Sequence, residues 1–219
     1  VRSCGLAGLG GAGFPTALKF SAPEGSIHTL IINGAECEPF VTSDYRSMLA
    51  YARDIVAGSA SILQWLGIPK CIFAIGGDKK DAADQFKELT SGSSAFQTVL
   101  LPRLFPSGEE TLVVREAAGV TLKEGSLPSD EGFLVVNCTT VLKLQQYLMT
   151  GMPLISRTVT ADGDAVKNPM NVEVPIGTLI SDLLEFCGGS EKPAEISMDV
   201  NAVYEKLLAS AEVPEMALL

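Results

Sequence analysis

The chain has 219 residues, of which 47% are hydrophobic and 19% are charged, so it can bury a sizeable core and is not expected to be disordered. Its 16 basic and 26 acidic residues give a net charge of −10, which argues against a nucleic-acid interface because such an interface needs a basic surface. We find no run of roughly 18 apolar residues and no basic segment before an apolar one, so we expect neither membrane insertion nor a signal peptide.

The five cysteines stand singly and form no Cys-x-x-Cys pair, a pattern that is typical of a reduced, intracellular protein. Because His28 is the only histidine and no cysteines are paired in the sequence, we expect this chain to bind no metal ion and no iron–sulfur cluster. The sequence also contains no Ser/His/Asp or Cys/His arrangement, so we predict no catalytic acid, base or nucleophile.

Short apolar segments alternate with amphipathic ones over the first two thirds of the chain. A glycine-rich stretch comes first, and a helical turn follows at 17–20. We predict strands at 29–33, 70–75, 98–101 and 133–136, and helices at 43–65, 81–90, 109–119 and 139–150. Ser43 or Asp44 can cap the first long helix. The alternation predicts βαβ units and therefore a mostly parallel sheet flanked by helices.

The pattern changes after Gly151-Met152-Pro153. Residues 154–159 and 171–176 are enriched in Thr and Val and predict two strands, with a hairpin turn at 162–164. A helix is predicted at 178–186, ending at Gly188-Gly189, and residues 199–213 are again helical in pattern. We interpret this ββα segment as a second, small domain.

Three stretches could carry chemistry. The first, Gly8-x-Gly10-x-x-Gly13, fits the dinucleotide pattern, in which backbone N–H groups approach a phosphate, and Glu36 lies about where a ribose-binding acid is expected. No strand is predicted before it, however, so three interpretations stay open: a standard dinucleotide fold, a plain glycine-rich turn, and a glycine-lined site for a different phosphate-bearing ligand.

The other two stretches each carry a pair of acids. Asn33 to Pro39 follows a buried strand, where open α/β sheets place their ligands, and contains Glu36 and Glu38. An exposed turn explains this stretch equally well. Glu109 and Glu110 begin a helix, so they either interact with its dipole or face the hydroxyls of a ribose.

Taken together, consecutive motifs resemble one family. Gly8 to Lys19 resembles the flavin loop of the flavoprotein subunit of respiratory NADH dehydrogenase, and Ile31-Ile32-Asn33-Gly34-Ala35-Glu36-Cys37-Glu38-Pro39 resembles more closely the version in RnfC proteins of the Rnf electron-transport complex. Pro106 to Thr111 and Val135 to Thr140 resemble the next two elements of that family. The tail from Pro153 to Gly189 resembles its small β-grasp (SLBB) domain.

The resemblance implies FMN as the resident cofactor and NADH as the substrate. The implied FMN residues are Gly8, Gly10, Gly11, Ala12, Gly13, Lys19, Asn33, Glu36, Gly108, Asn137 and Thr140. The implied NADH residues are Phe14, Glu38, Glu109 and Glu110, with Phe14 as a stacking face. Hydride transfer needs positioning more than acid–base catalysis, so the absence of a catalytic histidine is no objection.

The resemblance also implies a domain order and a location. We expect an FMN- and NADH-binding domain at 1–151, a β-grasp domain at 152–198 and a helical tail at 199–219. The expected function is an NADH-dependent flavin oxidoreductase subunit that passes single electrons onward, peripheral on the cytoplasmic face of a membrane complex. Iron–sulfur clusters are expected only in a module outside this chain, which would make it a fragment or a shorter relative, such as the cobalamin-reductase or proline-reductase branch.

There are departures from the family pattern. Cys37 stands where the dehydrogenase branch has glycine, Ala35 where it has an acid, and Cys138 where it has asparagine. Two other functions therefore remain open. The chain could be a docking or assembly subunit that has lost its flavin, or it could be an NAD-binding Rossmann dehydrogenase.

Overall fold

The computed structural model describes residues 1–103 and 105–189. They belong to two compact units: 1–36 with 44–154, and 37–43 with the residues from 155 onward. The helical tail predicted at 199–219 and the last residues of the predicted β-grasp domain lie outside the described residues. No helix of the described part is both long and apolar enough to cross a membrane.

A four-stranded parallel sheet forms the centre of the first unit. Its strands are β1 (Thr29–Gly34), β2 (Lys70–Gly76), β3 (Phe96–Leu101) and β4 (Phe133–Asn137), in the order β3-β2-β1-β4. The central strand β1 pairs Thr29 with Lys70 on one side and with Phe133 on the other. Residues 30–32 are fully buried, as expected for a parallel strand that is covered on both faces. The predicted parallel α/β fold is confirmed.

In the described part of this unit, five α-helices accompany the sheet: α1 (Thr16–Lys19), α2 (Ser43–Leu66), α3 (Lys80–Thr90), α4 (Glu110–Ala118) and α5 (Cys138–Thr150). Alternate strand residues point to opposite faces, so the sheet has two cores. Leu30, Ile32 and Phe73 pack in a core with α2, α3 and α5. Ile31 and Ile72 belong to the other core, which contains α4.

The long helix α2 is not continuous, contrary to the prediction. Tyr51 has φ −129° and ψ 28°, which are not helical angles, so the helix is kinked there. The strand and helix bounds elsewhere in this unit differ from the predicted ones by one or two residues, as helix and strand ends usually do.

The second unit contains an antiparallel pair, β5 (Ser156–Ala161) and β6 (Met170–Pro175), followed by α6 (Ile180–Phe186). The ββα order and the hairpin are as predicted, but the connection between the two strands is longer than predicted and spans 162–169 rather than 162–164. The segment 37–43 belongs here because the Thr42 N–H donates to Thr160 Oγ1 at 3.1 Å and the Asn171 amide donates to Thr42 Oγ1 at 2.9 Å.

Candidate functional site

A cleft of about 370 Å³ lies in the first unit at the carboxyl ends of β1 and β4. From β1 the chain proceeds outward to β2 and β3, and it then returns to place β4 on the other side of β1. In open α/β sheets, ligands bind at such a reversal of strand order. The cleft is lined by Gly8, Gly10, Ala12, Phe14, Thr16, Lys19, Asn33, Gly108, Glu109, Glu110, Val135, Val136, Asn137 and Thr140.

The glycine-rich stretch forms a closed loop at the carboxyl end of β4. The Gly8 N–H donates to the Phe14 carbonyl at 2.8 Å, and the Thr16 N–H donates to the Leu6 carbonyl at 3.0 Å, so the loop ends are held together. The buried Leu9 N–H donates to Thr140 Oγ1 at 2.9 Å and fixes the loop to the first turn of α5. A single 3₁₀ turn, Arg2–Cys4, precedes this loop, which therefore does not join a strand to a helix as the dinucleotide fingerprint requires.

Gly10 is the glycine of this loop that approaches another side chain. A Cβ atom at Gly10 would lie 3.3 Å from Asn137 Cβ and Nδ2, closer than most real contacts. Gly11 and Gly13 have left-handed φ values of 105° and 63°, which glycine adopts most readily, and they do not line the cleft. The loop therefore needs glycine at position 10 for space and at positions 11 and 13 for backbone shape.

Asn137 ends β4 and caps α5. Its Oδ1 accepts the Thr140 N–H at 3.1 Å, and its Nδ2 donates to Asp44 Oδ2 at 2.6 Å. The hydroxyl of Thr139 donates to the other oxygen of the Asp44 carboxylate. Because a helix N-terminus carries partial positive charge, this corner of the cleft favours an anion such as a phosphate.

Asn33 connects the end of β1 to the loop before α4. Its Nδ2 donates to the Gly108 carbonyl at 2.9 Å, and its Oδ1 accepts the Ala35 N–H at 3.1 Å. The side chain thus sets the position of Gly108, which itself lines the cleft. This bridging role was not evident in the sequence, which suggested only that Asn33 would contact a ligand.

The two acids at the start of α4 have different surroundings. Glu109 caps the helix, since its carboxylate accepts the Thr111 N–H at 3.0 Å, the Leu112 N–H at 3.1 Å and the Thr111 hydroxyl. Burial alone would raise the pKa of Glu109, but these three hydrogen bonds outweigh it and lower the pKa. Glu110 instead forms an ion pair with Lys19 within the cleft.

Glu36 does not line the cleft and stabilises the start of α2 instead. Its carboxylate accepts the N–H groups of Asp44 at 2.5 Å and Tyr45 at 2.9 Å, a role that sequence reasoning missed. Burial, and then the nearby Asp44 charge, raise its pKa to about 7 despite these bonds. The buried Lys79 ammonium donates to the carbonyls of Ala35 at 2.9 Å and Glu36 at 3.1 Å and so fixes this loop.

The cleft therefore brings together eleven of the predicted cofactor and substrate residues. Gly11, Gly13, Glu36 and Glu38 are not among its lining, and Glu38 lies in the segment 37–43 that groups with the second unit. Sequence reasoning did not single out Thr16, Val135 and Val136, which also line the cleft. Thr16 is 2% exposed, and its hydroxyl has no hydrogen-bond partner within residues 1–103 and 105–189.

Two models of known families match the chain. The model of the Nuo51 FMN-binding domain matches residues 1–146. The chain belongs to that family. The model of the SLBB domain matches residues 158–197. The resemblance to the NADH dehydrogenase flavoprotein family is thereby confirmed.

Curated relatives of the chain are subunits of ion-translocating oxidoreductase complexes. The chain is 38% identical over 198 residues to the C subunit of the proton-translocating ferredoxin:NAD(+) oxidoreductase complex of Clostridium ljungdahlii, covering 90% of this chain and 43% of the relative. It is 38% identical over 192 residues to the C subunit of the ion-translocating oxidoreductase complex of Pseudomonas aeruginosa, covering 87% and 25%. The chain thus spans less than half the length of these relatives.

A solved structure confirms the fold. The chain superposes on a chain of an NAD+-reducing [NiFe]-hydrogenase in the H2-reduced state with a TM-score of 0.73 and 22% identity. The match covers 87% of this chain and 38% of that chain. At this level of identity the likeness concerns the fold alone.

Proposed function

We propose that this chain is the FMN- and NADH-binding part of an electron-transfer subunit. The observation that carries the proposal is the cleft at the β1–β4 strand ends, where the glycine loop, the Lys19 ammonium and the N-terminus of α5 converge in a chain of the FMN-binding family. On this basis FMN would accept hydride from NADH, and single electrons would leave toward other subunits. The named relatives are subunits of ion-translocating oxidoreductase complexes, which supports such partners.

The residues of the cleft fit flavin mononucleotide. Lys19 and the N-terminus of α5 both favour a phosphate, and Gly10 keeps the loop close to Asn137 without a clash. The lining part of β4, Val135 and Val136, is apolar and suits a flat ring system. Thr16 adds a buried hydroxyl that lacks a partner among the described residues, as is common in a site that a ligand completes.

When it is bound, FMN supplies the chemistry of accepting a hydride and releasing electrons one at a time. The protein contributes position and charge. Asn33 holds Gly108 and so fixes the loop that leads into α4, while Leu9 and Thr140 hold the glycine loop to α5. Lys19 provides the cation that balances an anionic cofactor, and this interaction competes with its ion pair to Glu110.

We assign the exposed side of the cleft to NADH. Phe14 is 51% exposed on the glycine loop and offers an aromatic face for stacking. Glu110 lines the cleft and can accept hydrogen bonds from ribose hydroxyls, and Glu109 is the second acid of the cleft in this proposal. Carboxylates at such a position favour NADH over NADPH, because they would repel the additional phosphate.

The wider organisation follows the family. We propose an FMN-binding domain at 1–151, an SLBB domain at 152–198 and a tail at 199–219. Any iron–sulfur clusters would lie in parts of the full-length relatives beyond the matched region. The complete subunit would be peripheral, on the cytoplasmic face of a membrane complex.

Titration of the 219-residue chain with FMN tests the proposal. We expect a yellow protein whose bound flavin loses fluorescence, and whose flavin absorbance bleaches when NADH is added without oxygen. Lys19→Ala should weaken the binding of FMN. Lys87→Ala, which removes a lysine from an exposed ion pair on α3, should leave FMN binding unchanged. A colourless protein without affinity for FMN would refute the proposal and favour a docking subunit. Binding of NAD without a flavin would favour a dehydrogenase.

A further inference from the structure

Asp44 lies outside the cleft, yet it holds two of the residues at its anionic corner. It stands in the first turn of α2, and its Oδ2 accepts from Asn137 Nδ2 at 2.6 Å while its Oδ1 accepts from the Thr139 hydroxyl. An ionised carboxylate only accepts hydrogen bonds, so it holds the amide nitrogen of Asn137 toward itself. The amide oxygen must then face α5, where it accepts the Thr140 N–H.

The network continues from α5 into the glycine loop. The Thr140 N–H donates to Asn137 Oδ1, and the Thr140 hydroxyl accepts the Leu9 N–H at 2.9 Å. The next loop residue, Gly10, lies against the Asn137 side chain. One carboxylate therefore orders three parts of the cleft: the end of β4, the first turn of α5 and the glycine loop.

The negative charge of Asp44 allows its electrostatic effect on phosphate binding to be separated from its positioning effect. A carboxylate next to the N-terminus of α5 weakens the attraction of that terminus for a phosphate. Electrostatics alone would therefore favour a neutral residue here, and a positioning role would favour the carboxylate. The two effects predict opposite results when the charge is removed without a change of shape.

We propose that Asp44 is a positioning residue for the phosphate-bearing cofactor, acting through Asn137 and Thr139. This inference rests on the proposed function, since the cofactor is taken to be FMN. In the Asp44→Asn variant both hydrogen bonds lose the charge of the carboxylate, and the NH₂ group that replaces one oxygen can no longer accept from the Asn137 amide or the Thr139 hydroxyl. The weaker hold on Asn137 and Thr139 loosens the cap on α5 and the anchor of Leu9.

Two measurements on the 219-residue chain test the inference. FMN titration should give about tenfold weaker binding for Asp44→Asn, because charge-assisted hydrogen bonds are lost. Hydrogen exchange in the chain without cofactor should be about tenfold faster at the Leu9 and Thr140 amides, since both belong to the network. The control is Asp81→Asn, which removes a carboxylate in the first turn of α3 that accepts the Ala82 N–H and the Tyr45 hydroxyl. It should change neither measurement by more than about twofold.

A double-mutant cycle separates positioning from general destabilisation. In an Asn137→Ala background, Asp44→Asn should weaken FMN binding much less than in the wild type, because its route through Asn137 is gone. If the losses of FMN affinity in the two single variants multiply in the double variant, the inference is overturned. Unchanged or tighter FMN binding by Asp44→Asn would also overturn it. If the wild-type chain does not bind FMN, the proposed function fails. The positioning role of Asp44 is tested separately by hydrogen exchange, and unchanged exchange rates at the Leu9 and Thr140 amides in Asp44→Asn would refute it. If Asp44→Asn does not fold, Thr139→Val serves as the second variant, because it removes one of the two donors to Asp44. It should weaken FMN binding and speed up amide exchange by smaller factors than Asp44→Asn, and no change in either quantity overturns the inference.

Discussion

Replacing Glu110 by Gln should tighten the binding of FMN rather than weaken it. Lys19 and Glu110 form an ion pair inside the cleft, and both also line it. An anionic cofactor that draws on the Lys19 ammonium must compete with the Glu110 carboxylate. Glu110→Gln removes that competition and keeps the shape of the side chain, so Lys19 is available to the cofactor.

The size of the effect follows from the exposure of the pair. The side chains of Lys19 and Glu110 are 27% and 41% exposed, so solvent screens their attraction. Pairs of this kind contribute about 0.2–1 kcal/mol, which corresponds to a gain in FMN affinity of about 1.4- to 5-fold. NADH binding should weaken in the same variant, because Glu110 is assigned to its hydroxyls.

Flavin fluorescence titration at two salt concentrations measures this effect. The gain should be largest at about 0.01 M ionic strength, where the Debye length is roughly 30 Å, and it should shrink at about 1 M, where it is roughly 3 Å. Glu116→Gln is the matched control, because it removes a carboxylate paired with Arg115 on the same helix but outside the cleft lining. Equal gains in both variants, or weaker FMN binding by Glu110→Gln at low salt, would refute the reasoning.

Three further predictions follow from single residues. Gly10→Ala should weaken FMN severalfold, because the added Cβ meets Asn137 at 3.3 Å, whereas Gly92→Ala, with open space around it, should not. Burial raises the pKa of Glu36 from 4.5 to about 7, so the folded chain should lose up to about 3 kcal/mol of stability as the pH rises through that interval. In Glu36→Gln, the free energy of unfolding measured with urea should depend less on pH over the same interval. Thr16→Val should raise the free energy of unfolding of the cofactor-free chain by about 1 kcal/mol, because it removes a buried hydroxyl with no partner among the described residues, while Thr16→Ser should not. Destabilisation by Thr16→Val would contradict this last reasoning.

The sign of the Glu36 prediction depends on its surroundings. Most carboxylates that accept two backbone N–H groups have a lowered pKa, because hydrogen bonds favour the charged form. Here burial and the neighbouring Asp44 outweigh the N–H groups of Asp44 and Tyr45. The folded chain therefore holds a proton that the unfolded chain releases, and stability is greatest below pH 4.5 for this group.

The residues that the sequence could not assign are those that act on other residues of the protein. Nothing in the local pattern indicates that Asp44 contacts Asn137, because the two lie 93 positions apart in the chain. The same holds for Lys19 and Glu110, which a family resemblance assigns to different ligands and which the structure pairs with each other. Such contacts depend on the way in which α2, α4 and α5 meet the sheet.

The sequence by itself determined the strand–helix alternation, the glycine loop and the family, because apolar periodicity, glycine spacing and consecutive motifs are local properties of the chain. It also indicated most of the residues that line the cleft, which lie in the glycine loop, at the start of α4 and at the carboxyl ends of β1 and β4. Only the tertiary structure decided the role of each of three glutamates. Glu109 caps a helix, Glu110 pairs with a lysine and Glu36 holds a proton near neutral pH. These differences arise from burial and from partners distant in the chain, and no spacing of residues encodes them.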